Sequence, residues 1–174
     1  MHYGIGWFQP EQVLPIRTTK QDNMMPLLRT LPFFLILVVG GGLAIGYLTA
    51  PGSWYAGLEK PVFNPPNWVF GPVWGMLYVL IALAGARVWL RERQSNAMRL
   101  WWLQLVLNFA WSPTFFSLHM VGAALVILVL LVAAVIAFII ARWRVDRLSA
   151  LMFLPYAAWV SFAGLLNLAI WWLN

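Results

Sequence analysis

Between residues 121 and 141 the chain reads V-G-A-A-L-V-I-L-V-L-L-V-A-A-V-I-A-F-I-I-A, without one polar side chain. About 20 such residues span the hydrocarbon core of a bilayer as a helix. A helix apolar on every side is either buried deep in a large protein or set in lipid, and a chain of 174 residues is too small to bury it in protein alone. Four more apolar runs accompany it: Leu31–Leu48, Val69–Leu90, Leu100–Leu118 and Leu148–Leu173. Hydrophobic residues make up 63% and charged residues 9%, against roughly 45–50% and 25% in soluble domains. A soluble enzyme, a nucleic-acid-binding domain and a disordered chain are excluded. The 11 basic residues lie scattered between apolar runs and form no basic face for nucleic acid. With no cysteine there is no disulfide, thiolate metal site or thiol nucleophile. The expected fold class is all-α, an integral membrane bundle of five transmembrane helices whose only sizeable connection is loop 49–68.

The first run carries Gly40, Gly41, Gly42 and Gly46 and follows Arg17, Lys20 and Arg29. It reads as a retained helix or as the core of a signal peptide. Signal cores usually run about 7–15 residues, which favours the helix. Residues 1–29, polar and proline-interrupted, read as an unstructured tail, and Met24 and Met25 stand where a start could lie; residues 30–174 form the membrane domain. Arg17, Lys20 and Arg29, then Arg87, Arg91, Arg93 and Arg99, then Arg142, Arg144 and Arg147 fall on one side of this topology, opposite Lys60. The positive-inside rule puts the N-terminus in the cytoplasm and the C-terminus outside, in a bacterial cell membrane.

All five acids (Glu11, Asp22, Glu59, Glu92 and Asp146) lie outside the runs. Buried charges mark ion-coupled pumps, so a transporter of this sequence works passively or with a partner. There is no metal-ligand set; His2 lies in the tail and His119 at a helix end, a solvated turn residue or, less favoured, a haem ligand.

Twelve tryptophans need an account. Trp89, Trp101, Trp102, Trp143, Trp171 and Trp172 sit at helix ends, where an aromatic belt at headgroup level explains them. Trp74, Trp111 and Trp159 do not fit a belt. At about 1.5 Å per residue they lie roughly 8, 10 and 20 Å below the outer surface. Tyr78, Asn108, Ser112 and Ser161 share that layer and, being costly in hydrocarbon, should point into the bundle. Trp74 and Tyr78 are i, i+4; Asn108, Ser112 and Phe115 are i, i+4, i+7, as are Trp159, Ala163 and Leu166. Each set occupies one helix face. The faces either enclose a flat-walled pocket or pack on one another as core. Pro113 and Pro155 should bend their helices beside that layer. Gly42-x-x-x-Gly46 and Gly71-x-x-x-Gly75 permit close helix approach, and Ala82, Gly85 and Ala86 form another small-residue surface. Loop 49–68, stiffened by Pro51, Pro61, Pro65 and Pro66 and made amphipathic by Trp54, Tyr55, Phe63 and Trp68, is expected to cover the pocket as a lid.

Three ordered motifs carry a resemblance: W-Y-x-x-L-x-K-P-x-F-x-P-P-x-W-V-F-G-P-V-W at 54–74, L-N-F-A-W-S-P-x-F-F at 107–116 and L-P-Y-x-x-W-x-x-F-A-x-x-L-N at 154–167. Over residues 30–173 the chain resembles the tryptophan-rich sensory protein and translocator protein family (TspO, the peripheral-type benzodiazepine receptor). The resemblance implies a five-helix membrane protein, often homodimeric, that binds porphyrins such as protoporphyrin IX or haem as ligands, with no obligatory cofactor. It places ligand contacts on Trp54, Tyr55, Pro65, Phe70, Trp74, Tyr78, Ser112, Phe115, Trp159, Ala163 and Leu166; Asn108 joins them from the depth argument. Ser112 stands where some members have Asn. Because some relatives are photo-oxidative porphyrin-degrading catalysts, Trp54 and Trp159 are the candidate redox groups. The sterol motif of animal members is missing from L-L-N-L-A-I-W-W-L-N at 165–174, so cholesterol import is not carried over. The reading that results is a membrane receptor or regulator of porphyrins, with a light-dependent porphyrin-degrading enzyme and a passive tetrapyrrole exporter as alternatives.

Overall fold

A computed structural model describes residues 24–174, and within them the chain is helical, with no strand. Helix α1 (Met24–Leu35) runs through a π-helical stretch (Ile36–Gly40) into α2 (Gly41–Leu48). A short helix, α3 (Ser53–Gly57), lies in the following loop. Then come α4 (Asn67–Glu92), α5 (Asn96–Ser112, continued by a π-helical stretch Pro113–Ser117), α6 (Val121–Arg142) and α7 (Arg147–Leu173). The tail expected over 1–29 lies outside the described residues up to residue 23, and residues 24–29 are already helical. Among the described residues, four stretches are long and apolar enough to cross a membrane: Pro26–Leu48, Asn67–Glu92, Val121–Arg142 and Arg147–Leu173. Helix α5 spans 17 residues before it widens.

Local chemistry sets the boundaries. Pro65 and Pro66 stop any earlier start of α4, because a residue before proline is pushed out of the helical region. Ser95 caps α5, its hydroxyl accepting from the Met98 N–H at 3.2 Å, as serine does at helix starts. Pro113 has no N–H for the Phe109 carbonyl, and the backbone widens there into the π-helical stretch. Leu118 N–H donates to the Pro113 carbonyl at 3.0 Å, and the Thr114 hydroxyl donates to the Ala110 carbonyl at 2.8 Å. His119 closes this end with φ 57°, the left-handed turn that ends many helices. Pro155, by contrast, lies inside an unbroken α7.

Helix α6 packs between α5 and α7, and α4 packs on α1 and α7. The core half of the bundle is built on ring packing. Phe138 stacks on Phe153 with centroids 4.0 Å apart. Trp101, expected in the headgroup belt, is fully buried instead. Its ring lies against Gly85, where a Cβ would overlap it, and its Nε1–H donates to the Ile81 carbonyl at 2.9 Å. The small-residue surface Ala82-Gly85-Ala86 is therefore the seat of an indole.

At the basic end the helices are tied by charge. Asp146, ahead of α7, pairs with Arg87 at 2.8 Å and Arg91 at 3.2 Å and accepts from the Ser149 hydroxyl at 2.6 Å. Burial pushes its carboxyl up, yet the hydrogen bonds from Arg87 and Ser149 and the two guanidinium charges outweigh that and hold it below the ordinary carboxylate value. Arg142, 2% exposed, pairs with Glu92 at 2.9 Å.

Candidate functional site

The opposite end is hollow. A cavity of about 670 Å³ lies between α2, the lid, α4, α5 and α7, within the range of small-molecule sites. Its position follows from the sequence of α2 and α4. A Cβ on Gly42 would overlap the Tyr78 ring, so that glycine seats α2 against α4. One turn on, a Cβ on Gly46 would meet nothing within 4 Å, and the same holds for Gly71 and Gly75. All three line the cavity. Of the two glycine pairs expected to bring helices together, only Gly42 does so; the others hold the space open.

Aromatic rings make most of the wall. Trp74 and Tyr78 lie 5.2 Å apart along one face of α4. Trp111 and Phe115 lie 5.6 Å apart on α5 and its π-helical continuation. Phe70, Ala163, Leu166 and Ile170 close the remaining sides. The polar groups are few and held. Tyr78 Oη donates to Asn108 Oδ1 at 3.5 Å, Asn108 Nδ2 donates to Tyr156 Oη at 2.9 Å, and Tyr156 Oη donates to Gln104 Oε1 at 2.9 Å. Trp111 Nε1 donates to Asn167 Oδ1 at 3.2 Å, and Asn167 Nδ2 to the Val121 carbonyl at 2.9 Å.

The lid has its own helix, α3, inside what the prolines mark as a loop. Buried Tyr55 packs edge-on against Phe116 at 5.3 Å and Phe115 at 6.1 Å. The Lys60 ammonium sits 4.7 Å above the Tyr55 ring, and burial pushes that phenol up. The Asn174 side chain grips Glu59 twice, accepting from its N–H at 3.0 Å and donating to its carbonyl at 3.1 Å. At the start of the lid the Thr49 and Ser112 hydroxyls meet at 2.6 Å.

Of the expected site residues, Tyr55, Phe70, Trp74, Tyr78, Asn108, Ser112, Phe115, Ala163 and Leu166 line the cavity. Three do not. Trp54 stacks on His119 at 4.0 Å and borders a separate hollow with Leu58, Gly122 and Trp171. Trp159 stands behind Phe70, edge-on at 5.7 Å, with its Nε1 buried and unpartnered among the described residues. Pro65 is absent from the wall. Ser161, expected inside, is exposed. Asn167 and Ile170 escaped the sequence reading although they extend the Ala163 face by i+4 and i+7. Thr49 escaped for want of any helical period.

Comparison with known proteins covers the same stretch. The sequence model of the TspO/MBR family matches residues 33–173. Protein CrtK of Rhodobacter capsulatus is 42% identical over 135 residues, 75% of this chain and 84% of that protein. The human translocator protein is 42% identical over 123 residues, 68% of this chain and 73% of its own length. The tryptophan-rich protein TspO of Archaeoglobus fulgidus is 41% identical over 144 residues, 80% and 94% respectively.

Proposed function

The chain belongs to the TspO/MBR family of membrane proteins, and from that premise we propose that it is a receptor or regulator that takes a porphyrin or a similar flat apolar guest into the cavity under its lid. The observation that carries this reading is the cavity itself: about 670 Å³ walled by Phe70, Trp74, Tyr78, Trp111 and Phe115, with hydrogen-bonding groups at a few points only. Aromatic faces offer stacking to any planar ring system, and the scarce polar groups set its orientation. Helix α5 with its π-helical continuation is the fifth crossing in this proposal, and the basic end faces the cytoplasm of a bacterial cell. The lid and Asn174 then face outward, and the working unit is a homodimer.

Binding is favoured over light-driven degradation by one placement. Trp54 and Trp159, the candidate redox groups, lie off the cavity wall, one stacked on His119 and the other behind Phe70. The test is titration of the purified protein in nanodiscs with protoporphyrin IX in the dark, read by tryptophan quenching. Trp74→Ala removes a stacking face and weakens binding about tenfold, whereas Trp172→Ala, exposed and absent from the cavity wall, leaves it unchanged. Equal affinity in wild type and Trp74→Ala would falsify the site.

A further inference from the structure

The cavity has a side mouth, and the contacts of α2 shape it. A Cβ on Gly42 would overlap the Tyr78 ring of α4, and a Cβ on Gly41 would press on the Phe109 ring of α5. Gly46 and Thr49 continue the Gly42 face toward the lid, at i+4 and i+7. There the Thr49 hydroxyl lies 2.6 Å from that of Ser112, again on α5. Helix α2 is thus tied to α5 at both ends and to α4 at its start. The packing agrees: α1 and the π-helical stretch lie along α4, whereas α2 leans on α5. On α4, Gly71, Gly75 and Tyr78 share one face at i, i+4 and i+7. The two helices therefore meet at Gly42 and Tyr78 and part toward the lid, with glycine on both sides of the gap. Among the described residues, a Cβ on Gly46, Gly71 or Gly75 meets nothing within 4 Å.

This gap reaches the outside of the molecule. Leu43 and Tyr47 line the cavity and are nevertheless 64% and 85% exposed, and the cavity glycines Gly46 and Gly71 are exposed as well. The rim is apolar, with Leu43 and Leu48 on α2 and Met76 and Val79 on α4 exposed. Both helices belong to stretches long and apolar enough to span a bilayer, so the medium at the mouth is hydrocarbon. The lid, by contrast, is fastened. Tyr55 is buried against Phe115 and Phe116, and the Asn174 side chain holds Glu59 by two hydrogen bonds. Lifting the lid breaks these contacts; passing between α2 and α4 breaks none of them.

We propose that guests reach the cavity from the bilayer, through the mouth between α2 and α4, and not from the water above the lid. The guest class is then one that dissolves in the leaflet on the lid side, a flat apolar molecule already concentrated in hydrocarbon. Glycine at 46, 71 and 75 leaves the passage its width, and the lid acts as a fixed roof. The inference rests on the cavity being a ligand site and adds where its guests come from.

Two staples test it, and the chain has no cysteine of its own to interfere. Gly46→Cys/Gly75→Cys, joined by a bismaleimide with an internal disulfide, bars the mouth. Glu59→Cys/Asn174→Cys, joined directly as a disulfide, locks the lid where the two residues already touch. Each protein is loaded with protoporphyrin IX in nanodiscs in the dark and then stapled. Release into excess empty nanodiscs is followed as recovery of tryptophan fluorescence. The mouth staple slows release at least about tenfold and reductant restores it, whereas the lid disulfide leaves the rate unchanged. If Gly46→Cys/Gly75→Cys does not fold or load, Tyr47→Cys/Gly71→Cys bars the same mouth nearer the lid. A stapled mouth that releases at the unstapled rate, or a lid disulfide that slows release as much, overturns the inference and leaves the binding site standing. Failure of the wild-type protein to load overturns the site reading as well.

Discussion

Two glycines one turn apart on the same helix make opposite demands, and their alanine variants separate packing from space. Gly42 and Gly46 share one helix face, and each gains about 0.5–1 kcal/mol in helical preference when replaced by alanine. That gain cancels between the two variants. What remains is the new methyl group. At Gly46 it meets nothing within 4 Å; at Gly42 it overlaps the Tyr78 ring. Tyr78 cannot swing away freely, being flanked by Trp74 at 5.2 Å with its hydroxyl 3.5 Å from Asn108. Overpacking of this kind costs about 1–3 kcal/mol. A chain of this size shifts its midpoint by about 2–4 °C per kcal/mol, so Gly42→Ala should melt about 2–12 °C below Gly46→Ala. Thermal unfolding in one detergent at one scan rate measures the difference, and the fixed rate matters because membrane proteins unfold irreversibly. The double variant Gly42→Ala/Tyr78→Ala checks the cause: with the ring gone, the alanine should no longer cost stability, and the two changes should be strongly non-additive. Equal melting of the two single variants refutes the assignment of Gly42 as the contact glycine and Gly46 as the one that holds space.

Three further outcomes follow from the same geometry. Gly46→Leu fills open space, so it should preserve the melting temperature while abolishing porphyrin quenching; retained binding would place the guest elsewhere. Asn174→Ala frees the Glu59 amide from its 3.0 Å partner, and hydrogen–deuterium exchange at residues 58–60 should accelerate with no change in α6. Asp146→Asn removes the counter-charge of Arg87 and Arg91 and should cost about 2 kcal/mol of stability. Because the folded Asp146 carboxyl is held below its ordinary value of 3.8, its contribution is complete above that value and disappears as pH falls through the depressed one. The wild-type melting temperature should therefore drop toward that of Asp146→Asn only in acid below about pH 4.

The four long apolar helices were legible because hydropathy is a one-dimensional signal. A stretch such as 121–141 has no arrangement in water that buries it, and its ends fall just inside His119 and Arg142, where the sequence turns polar. Features that depend on a neighbour were not legible. Trp101 reads as a belt residue from its place at a helix end, and only Gly85, sixteen residues earlier on another helix, makes it core. Likewise Pro113 announces a missing N–H, but not that the helix widens there, with the Thr114 hydroxyl bonded to the Ala110 carbonyl.

The site divides along the same line. Period and depth brought Trp74, Tyr78, Asn108, Ser112, Ala163 and Leu166 to one cavity, because a polar or aromatic group on a helix face must choose between lipid and bundle. The choice is not forced for every residue: Ser161 turns outward. Trp54 and Trp159 carry the same motifs as their neighbours yet stand off the wall, one beside His119 and one behind Phe70. Ring type alone does not say which ring touches the space. Least visible of all is the sense of the hydrogen bonds. Gln104 in sequence is one amide in an apolar run, equally able to donate or accept. The Trp101 carbonyl three residues away removes that freedom, and through Tyr156 and Asn108 the constraint reaches a cavity that Gln104 itself does not line. In a medium with no water to absorb an unmet donor, one backbone oxygen thus orients a chain of side chains that ends at the cavity wall.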